Sequence, residues 1–301
     1  MVEVAWHDRL SDDDVETVRE LLLAVRARDG RPEVVPAGSL PRELRGGRHG
    51  LASGPDGELA GYLHVDTAGD ARGRAVVELF VHPRMRRRGV GSTLTESLLG
   101  RIDTRPVRAW SHGDHPGAAR IAARFGFDRV RELLKLGLDF ESGDAPRLPV
   151  PTWPAGVRVR TFVPGQDEPD VVAVNRRAFD WHPEQGALTV DDLAAAEDEP
   201  WFDPDGFFLA VDPEDRLLGF HWTKVHAGPP PVGEVYVVGV DPDAQGGGLG
   251  RALTLAGLHH LHRGGLSKVI LYVESDNAPA VAVYRRLGFG RVASDVQYER
   301  A

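Results

Sequence analysis

Residues 245–250 read Gln-Gly-Gly-Gly-Leu-Gly, a segment in which the backbone can come close to a ligand. The segment follows residues 234–240, a valine-rich stretch that favours a β-strand, and Pro242 ends that strand. It precedes residues 251–262, which have the pattern of an amphipathic helix. The first amides of a helix lack partners within the helix, and the helix dipole adds partial positive charge there. The sequence therefore predicts a phosphate or pyrophosphate site at this loop.

The spacing of this loop separates it from two other phosphate-binding loops. A Walker loop requires Gly-Lys-Ser/Thr, and the segment contains no lysine. A dinucleotide fingerprint requires Gly-x-Gly-x-x-Gly after a strand. The pattern here is Gln-x-x-Gly-x-Gly preceded by Val-Asp-Pro, and it resembles the acetyl-CoA pyrophosphate loop of the GCN5-related N-acetyltransferase (GNAT) family. A turn without a ligand is the structural alternative, but the strand, the Asp-Pro pair, the glutamine and the helix together favour binding.

The loop pattern occurs twice in the chain. Residues 79–91 repeat the order strand, proline, loop and helix about 160 residues upstream. Residues 114–127 and 276–289 match in the same way, because each reads as a polar loop followed by a helix that ends in Gly-Phe. A repeat of this length indicates a duplicated domain rather than a solenoid. The three arginines at residues 86–88 lie in the first loop and suit the phosphates of coenzyme A.

A proline-rich connector separates the two copies. Four prolines and two glycines fall within residues 141–156, so we predict a linker there, between domains at residues 1–140 and 157–301. Strands and helices alternate in both halves, which is typical of an α/β fold. The resemblance to the GNAT family implies two tandem domains, each with a mixed, mostly antiparallel twisted sheet flanked by helices. Residues 297–300 are predicted as a last edge strand of the second domain.

The composition limits the classes of function. With 301 residues and 42% apolar content, each half can bury a core. The chain has no cysteine, so we expect no disulfide, no thiolate zinc site and no cysteine nucleophile. We also expect no metal cofactor. The net charge of −9 argues against general nucleic-acid binding, and no apolar run approaches the ~18 residues of a membrane span. We therefore expect a cytoplasmic monomer without a nucleic-acid or membrane partner.

Acetyl transfer to an amine needs three kinds of group: one that removes a proton from the amine, one that polarises the thioester carbonyl and one that protonates the departing thiolate. Glu234 is the candidate general base, because it is a carboxylate at the start of the strand that leads to the loop. The backbone amides of residues 238–240 can bind the acetyl oxygen if the strand separates there from its neighbour. Tyr284, in the helix after Asn277, is the candidate acid. A solvent-facing glutamate and a packed aromatic residue are the structural alternatives.

The first copy lacks both candidate groups. Aligning the two loops places Ala75 opposite Glu234, and aligning the two Gly-Phe pairs places Ala122 opposite Tyr284. We therefore expect the C-terminal domain to carry out the chemistry. The N-terminal domain is expected to bind acetyl-CoA without turnover or to act as a structural lid.

Within the GNAT superfamily, both domains resemble the mycothiol synthase family of actinobacterial enzymes. The most specific segments are residues 182–186, 201–206, 217–226 and 271–277. That family acetylates the cysteinyl amine of cysteinyl-glucosaminyl-inositol with acetyl-CoA as cosubstrate. The resemblance implies that the acceptor substrate contacts Glu184, Lys224, Glu234 and Tyr272. It implies that acetyl-CoA contacts Val238, Gly239, Val240, Gln245, Gly246, Gly247, Gly248, Leu249, Gly250, Arg251, Asn277, Ala278, Pro279, Ala280, Val281 and Ala282. It implies a second coenzyme A in the N-terminal domain, on Leu79, Phe80, Val81, Arg87, Arg88, Gly89, Val90, Gly91 and Ser92.

The chain departs from that family in the segment after the first helix. The family carries a Glu-Gln pair after the first helix, whereas residues 33–39 contain no such pair and offer only Glu33.

Two other functions stay open. One alternative is a tandem acetyltransferase for another primary amine, such as an aminoglycoside or a peptide N-terminus. The other is a catalytically silent coenzyme-binding sensor.

Overall fold

The chain forms two compact units in a computed structural model. The structure describes residues 2–30, 32, 34–41, 44–54, 56–69, 73–102, 106–142, 148–180 and 185–301. One unit comprises Met1–Leu133 with Ala293–Ala301, and the other comprises Leu134–Val292. These units differ from the predicted domain bounds in two places, because residues 134–140 belong to the second unit and residues 293–301 to the first.

The first unit is a mostly antiparallel sheet with helices on its two faces. Its strands follow the order β1-β2-β3-β4-β5, and the last part of β12 pairs with β5. Only the β4–β5 pair is parallel among the pairs β1 to β5. Its elements are β1 (Glu3–His7), α1 (Asp12–Asp29), β2 (Arg48–Ser53), β3 (Leu59–Asp66), β4 (Ala75–Val81), α2 (Val90–Leu99), β5 (Val107–Ser111), α3 (Pro116–Phe125), the start of β6 (Asp128–Asp139) and the end of β12 (Gly290–Arg300).

Local signals in the sequence set the ends of α1. Ser11 and Asp14 form a capping box at its start, and Gly30 ends it with a left-handed φ of +77°. The helix buries Leu21 and Leu22 in a core that also contains Tyr62 of β3. This packing holds α1 against the sheet.

The second unit has the same construction around a β9–β10–β11 centre. Its strands follow the order β11-β10-β9-β8-β7, and β10–β11 is its parallel pair. Helix α4 packs on one face with Phe207 and Trp222, whereas α6 and α7 pack on the other with Leu271. Its elements are the end of β6, β7 (Arg158–Thr161), α4 (Glu168–Ala178), α5 (Val190–Glu197), β8 (Phe207–Val211), β9 (Leu217–His226), β10 (Val232–Val240), α6 (Leu249–Arg263), β11 (Lys268–Glu274), α7 (Ala278–Arg286) and the start of β12.

The prediction of an edge strand at residues 297–300 was wrong. Residues Val296 to Arg300 pair antiparallel with β5, inside the first unit. Val296 is fully buried there, and Tyr298 is also buried. The alternation of apolar and polar residues gives a strand but does not identify its partner, so sequence alone placed the strand in the wrong unit.

Neither a membrane-spanning helix nor a metal-binding cluster occurs among the described residues. None of the helices that these residues form combines the length and the apolar character that a membrane crossing requires. Nor do they bring three or more His, Cys, Asp or Glu side chains into a group that could hold a metal ion.

Close packing between β9 and α6 fixes the position of the helix that follows the glycine-rich loop. His221 of β9 is fully buried, and its Nδ1 lies 2.8 Å from the carbonyl oxygen of Leu253. The ring faces Gly257 of α6, where an added Cβ would lie 2.1 Å from the His221 Cε1 atom. Glycine at this helix position therefore allows α6 to lie directly on the sheet.

We expect Gly257→Ala to lower the free energy of unfolding by about 1–3 kcal/mol, because the new methyl group overlaps the His221 ring. Urea denaturation measures the change. The same substitution in a His221→Ala background is the control. There the clash is gone and alanine exceeds glycine in helix propensity by roughly 1 kcal/mol, so the substitution should stabilise. Equal losses in both backgrounds would contradict this account of the packing.

Candidate functional site

Strand β10 separates from β11 halfway along its length. The parallel pairing joins Gly233, Glu234 and Val235 to Val269, Ile270 and Leu271 and ends there. Pairing with β9 on the other side continues as far as Val240. Residues 236–240 therefore have one edge on a gap instead of on a neighbouring strand. The separation on which the candidate carbonyl site depended is present.

The direction of the amides in this gap follows from one hydrogen bond. The Asp241 amide donates to the carbonyl oxygen of Leu218 on β9, at 2.9 Å. Successive amides of a strand point in opposite directions, so those of Val240 and Val238 point into the gap. The Val240 carbonyl also lies on the gap side and accepts a hydrogen bond of 3.2 Å from Gln245 Nε2. Two amide donors thus line the gap beside β10.

The glycine-rich loop leads from this gap into α6 with its amides free of side-chain caps. Gly246 and Gly248 have φ angles of +90° and +81°, in the left-handed region that favours glycine. Gly248 is the N-cap residue, and no side chain caps the helix. Residues 245–248 are exposed to solvent. The loop therefore presents the positive end of α6 to solvent, which suits an anion.

Helix α7 contributes the predicted contacts at residues 277–282. Asn277 caps the helix, because its side-chain oxygen accepts a hydrogen bond of 3.2 Å from the Ala280 amide. Ala278, Pro279 and Ala282 are exposed, whereas Val281 packs in the core. Val281 is therefore a packing residue, and the small exposed residues around it form the accessible surface.

Glu234 lies buried at the point where the two strands begin to diverge. Its residue exposure is 6%, and it is opposite Lys224 on β9. Its Oε2 atom lies 2.6 Å from Nε2 of His226, a residue that the sequence reasoning did not single out. The alternative of a solvent-facing glutamate at a strand end is wrong.

Aromatic rings surround the ammonium group of Lys224. Its Nζ atom lies 4.2 Å from the ring centroid of Trp201 and 4.9 Å from that of Tyr236. Tyr236 occupies the β-bulge of β10, where the register with β9 shifts. Within the part of the chain that the structure describes, no carboxylate pairs with Lys224. Cation–π contacts thus hold the ammonium beside Glu234 while its N–H donors stay available.

Tyr272 and Tyr284 occupy different faces of the sheet. Tyr272 is half-buried on β11 and lies two residues after Ile270, which pairs with Glu234. The Lys135 Nζ atom lies 5.5 Å from the centroid of the Tyr272 ring. Tyr284 packs with the core that contains Val235, and burial raises its pKa to about 12. Its phenol therefore stays protonated and able to donate near neutral pH. Because Glu234 alternates with Val235, Glu234 and Tyr284 lie on opposite faces of the sheet.

Glu184, a residue of the predicted acceptor site, lies outside the described residues. Glu33, from the segment that lacks the family's Glu-Gln pair, also lies outside them. Gln185, the residue after Glu184, is held against α4, because the buried Asn175 side chain donates a hydrogen bond of 2.6 Å to the Gln185 carbonyl. The Gln185 side chain returns a hydrogen bond of 3.0 Å to Asn175.

The first unit repeats the strand separation and the loop. Strands β4 and β5 pair only as far as Val77 and Ala109. The His82 amide donates to Ala60 at 3.0 Å, as Asp241 does to Leu218, and Arg86 Nε donates to the Val81 carbonyl at 3.2 Å. Arg86 thus takes the structural position of Gln245. The sequence placed an arginine there but did not reveal this bond.

The start of α2 matches that of α6 with one difference in residue type. Gly89 is its N-cap residue at φ +89°, again without a side-chain cap. Arg87 lies at the position of Gly246 and has φ +61°, which is uncommon for a residue with a side chain. The first loop therefore keeps the left-handed backbone conformation at this position, although the residue is an arginine instead of a glycine.

A cavity of about 590 Å³ lies between the separated strands of the first unit. Its lining includes predicted coenzyme contacts from β4 and α2, namely Leu79, Phe80, Val81, Arg87, Gly89 and Ser92. Val90 and Gly91 also line it, whereas Arg88 is exposed on the loop. Most of the predicted N-terminal contacts are thus brought together around one cavity.

An ionic group that the sequence did not suggest borders this cavity, with Glu78 and His112 in the lining. His112 lies 3.5 Å from a Glu78 oxygen and 3.4 Å from an Asp295 oxygen. Burial alone would favour the neutral ring, but the two carboxylates outweigh it and raise the pKa of His112 to about 10. Ala75 and Ala122, opposite Glu234 and Tyr284 in the alignment, are buried and apolar. The two units therefore share a frame and differ in their polar groups.

Comparisons with known proteins define the class. Residues 173–289 match the family model described as "Acetyltransferase (GNAT) family", and residues 31–136 match "Acetyltransferase (GNAT) domain". A GCN5-related N-acetyltransferase from Sphaerobacter thermophilus has a similar fold, with a TM-score of 0.73, 24% identity, and coverage of 99% of this chain and 95% of that one. A tandem GNAT protein from the clavulanic acid biosynthesis pathway has a TM-score of 0.68 at 21% identity, covering 100% and 98%. The predicted fold of two tandem GNAT domains is confirmed, and the protein is an acetyl-transferring enzyme.

Whole-chain relatives narrow the class. The chain is 58% identical to the mycothiol acetyltransferase of Saccharomonospora viridis over 99% of both chains. It is 56% identical to that of Amycolatopsis mediterranei over 98% of both. The chain belongs to the mycothiol acetyltransferase family.

We expect Gly248→Ala to raise the KM for acetyl-CoA about 10-fold, since a Cβ at a left-handed φ costs about 1–2 kcal/mol and shifts the loop amides. Initial-rate kinetics with varied acetyl-CoA measure the change. Gly265→Ala is a matched control, because Gly265 has φ +83° at the other end of the same helix. Both variants should lose similar stability, and only the first should change KM. An unchanged KM for Gly248→Ala would remove this loop from coenzyme binding.

Proposed function

We propose that the protein transfers the acetyl group of acetyl-CoA to the cysteinyl amine of cysteinyl-glucosaminyl-inositol, giving mycothiol and coenzyme A. The observation that carries this proposal is the position of a buried carboxylate, Glu234, at the mouth of a gap whose other end is an uncapped helix start. The identity of 56–58% to mycothiol acetyltransferases over nearly the whole chain supports the choice of acceptor.

The gap of the second unit suits a thioester. The amides of Gly246 to Arg251 would bind the diphosphate, and those of Val238 and Val240 would donate to the acetyl oxygen. Donors fixed in this way stabilise the negative charge that develops when the amine attacks. Residues 277–282 would contact the coenzyme from the opposite side.

The two ionisable groups beside the gap divide the proton transfers. Glu234 would accept a proton from the acceptor amine, directly or through water. Tyr284 would donate a proton to the departing thiolate, and with a pKa of about 12 its phenol carries that proton near neutral pH. Because the two side chains lie on opposite faces of the sheet, Glu234 can accept the proton of the amine while Tyr284 donates a proton to the sulfur.

The acceptor-binding groups match the chemistry of a polyhydroxyl amine. Lys224, held against Trp201 and Tyr236, offers N–H donors next to Glu234. Tyr272 offers a hydroxyl on the neighbouring strand, and Glu184 a second carboxylate. These contacts are proposed from the family resemblance together with the location of Lys224 and Tyr272 on the strands beside Glu234.

The first unit would hold a second coenzyme A without transferring its acyl group. The uncapped start of α2 and the cavity of about 590 Å³ support binding. Ala75 and Ala122 offer neither a base nor an acid at the equivalent positions. The second unit alone would then be catalytic.

The choice of acceptor is tested by following coenzyme A release from purified protein with acetyl-CoA and cysteinyl-glucosaminyl-inositol. We expect rapid release with that acceptor and slow release with an aminoglycoside or a peptide. Turnover only with other amines would contradict the acceptor. Saturable acetyl-CoA binding without turnover on any amine would indicate a sensor instead.

We expect Glu234→Ala to lower kcat by roughly 10²- to 10⁴-fold, the usual contribution of a general base. Binding of acetyl-CoA, measured by calorimetry, should stay unchanged. Glu214→Ala is the control, because Glu214 is a solvent-exposed glutamate in the turn between β8 and β9 and should leave turnover as it is. Unchanged turnover in Glu234→Ala would exclude Glu234 as the base.

A further inference from the structure

Glu234 is the one carboxylate proposed as a base, and its side chain must be oriented toward the acceptor amine. The residue is buried, with an exposure of 6%. Among the residues that the structure describes, His226 is the one hydrogen-bond partner of its carboxylate. A buried carboxylate with a single partner is oriented by that partner.

The geometry of the pair is that of a strong charge-assisted hydrogen bond. Nε2 of His226 and Oε2 of Glu234 are 2.6 Å apart. A carboxylate that is ready to accept a proton has no N–H or O–H to donate, so the imidazole Nε2–H donates to Oε2. Such bonds are about twice as strong as neutral ones and fix direction as well as distance.

The sheet places the two residues so that they can meet. His226 is the last residue of β9 and lies two positions after Lys224, the residue directly opposite Glu234. Residues two apart in a strand share a face, so His226, Lys224 and Glu234 lie on the same side of the sheet. The His226 side chain is 36% exposed, whereas that of Glu234 is 8% exposed. The histidine occupies Oε2, and Oε1 has no hydrogen-bond partner among the described residues.

We propose that His226 is a positioning residue for the general base: its Nε2–H holds Oε2 of Glu234 and directs Oε1 toward the acceptor amine. The inference rests on the proposed role of Glu234. It does not depend on which amine is acetylated, since any acceptor must give its proton to the same carboxylate. The histidine itself touches neither the amine nor the thioester in this account.

A double-mutant cycle tests this role, with kcat measured on the best amine acceptor found for the unmodified protein. In the native background His226→Ala should lower kcat about 10- to 100-fold, the effect expected for loss of a hydrogen bond to a charged group, while the KM for acetyl-CoA stays constant. In a Glu234→Ala background the same substitution should have no further effect, because the residue through which it acts is gone. His226→Gln keeps an N–H donor and should recover most of the lost rate.

Two further variants separate positioning from general damage to the fold. His259→Ala is the matched control, since that ring also makes a single hydrogen bond, of 3.0 Å to the Pro149 carbonyl, and should leave kcat unchanged. Thermal unfolding of each variant shows whether it folds, and His226→Gln preserves the test if His226→Ala does not. Equal losses of kcat with and without Glu234, or full activity in His226→Ala, would overturn the proposal. An inactive unmodified protein would instead count against the proposed function.

Discussion

The divergence of β10 from β11 after Val235 is the constraint on which the rest of the site depends. Two parallel strands that stayed paired would satisfy each other's amides and leave no space between them. Because pairing ends at Val235, the amides of Val238 and Val240 have no partner strand on that side and a gap opens beside them. The same divergence places Glu234 at the last stretch of full pairing, where β9 and β11 both fix its backbone. Donors and base are therefore consequences of one change in strand pairing.

Helix α6 and the glycine-rich loop extend this arrangement to the diphosphate. The loop turns through two left-handed glycines, and the helix begins without a side-chain cap, so its first amides face outward. Close contact of α6 with β9 at Gly257 and His221 holds the helix start in register with the gap. The proposed diphosphate site and the proposed donors to the acetyl oxygen thus lie on one strand–loop–helix segment.

The two units share a backbone arrangement of strands and loop but differ in the polar side chains beside it. In the first unit β4 and β5 also diverge, and Arg86 bonds Val81 as Gln245 bonds Val240. Its polar groups are different, because His112 lies between Glu78 and Asp295 and the positions of Glu234 and Tyr284 are taken by the buried alanines Ala75 and Ala122. These alanines supply neither a base nor an acid. This difference agrees with a binding role for the first unit and a catalytic role for the second.

Features encoded by short stretches of sequence were predictable. The loop at residues 245–250, the strand at residues 234–240 and the helix at residues 251–262 depend on local signals such as proline, glycine and β-branched residues. The domain repeat was also visible, because its motifs recur at a fixed distance. The partner of β12 and the contact between His226 and Glu234 were not predictable, since both depend on pairing between strands, which no local pattern encodes.

Charged residues in the first cavity were missed for the same reason. Glu78 and Asp295 are more than 200 residues apart and meet only through the pairing of β12 with β5. Glu184 could be named only by resemblance, and it lies outside the described residues. Sequence therefore gave the frame and the principal groups of the second unit, and the structure added the contacts that orient them.

A crystal structure of the protein with bound acetyl-CoA would test the central claim most directly. The account predicts the diphosphate on the amides of Gly246 to Arg251, with the thioester oxygen within hydrogen-bond distance of the Val238 or Val240 amide. It also predicts the acetyl carbon on the side of the gap that Glu234 faces. A coenzyme bound in the second unit with its diphosphate away from the start of α6, or with β10 and β11 paired through residue 240, would contradict it.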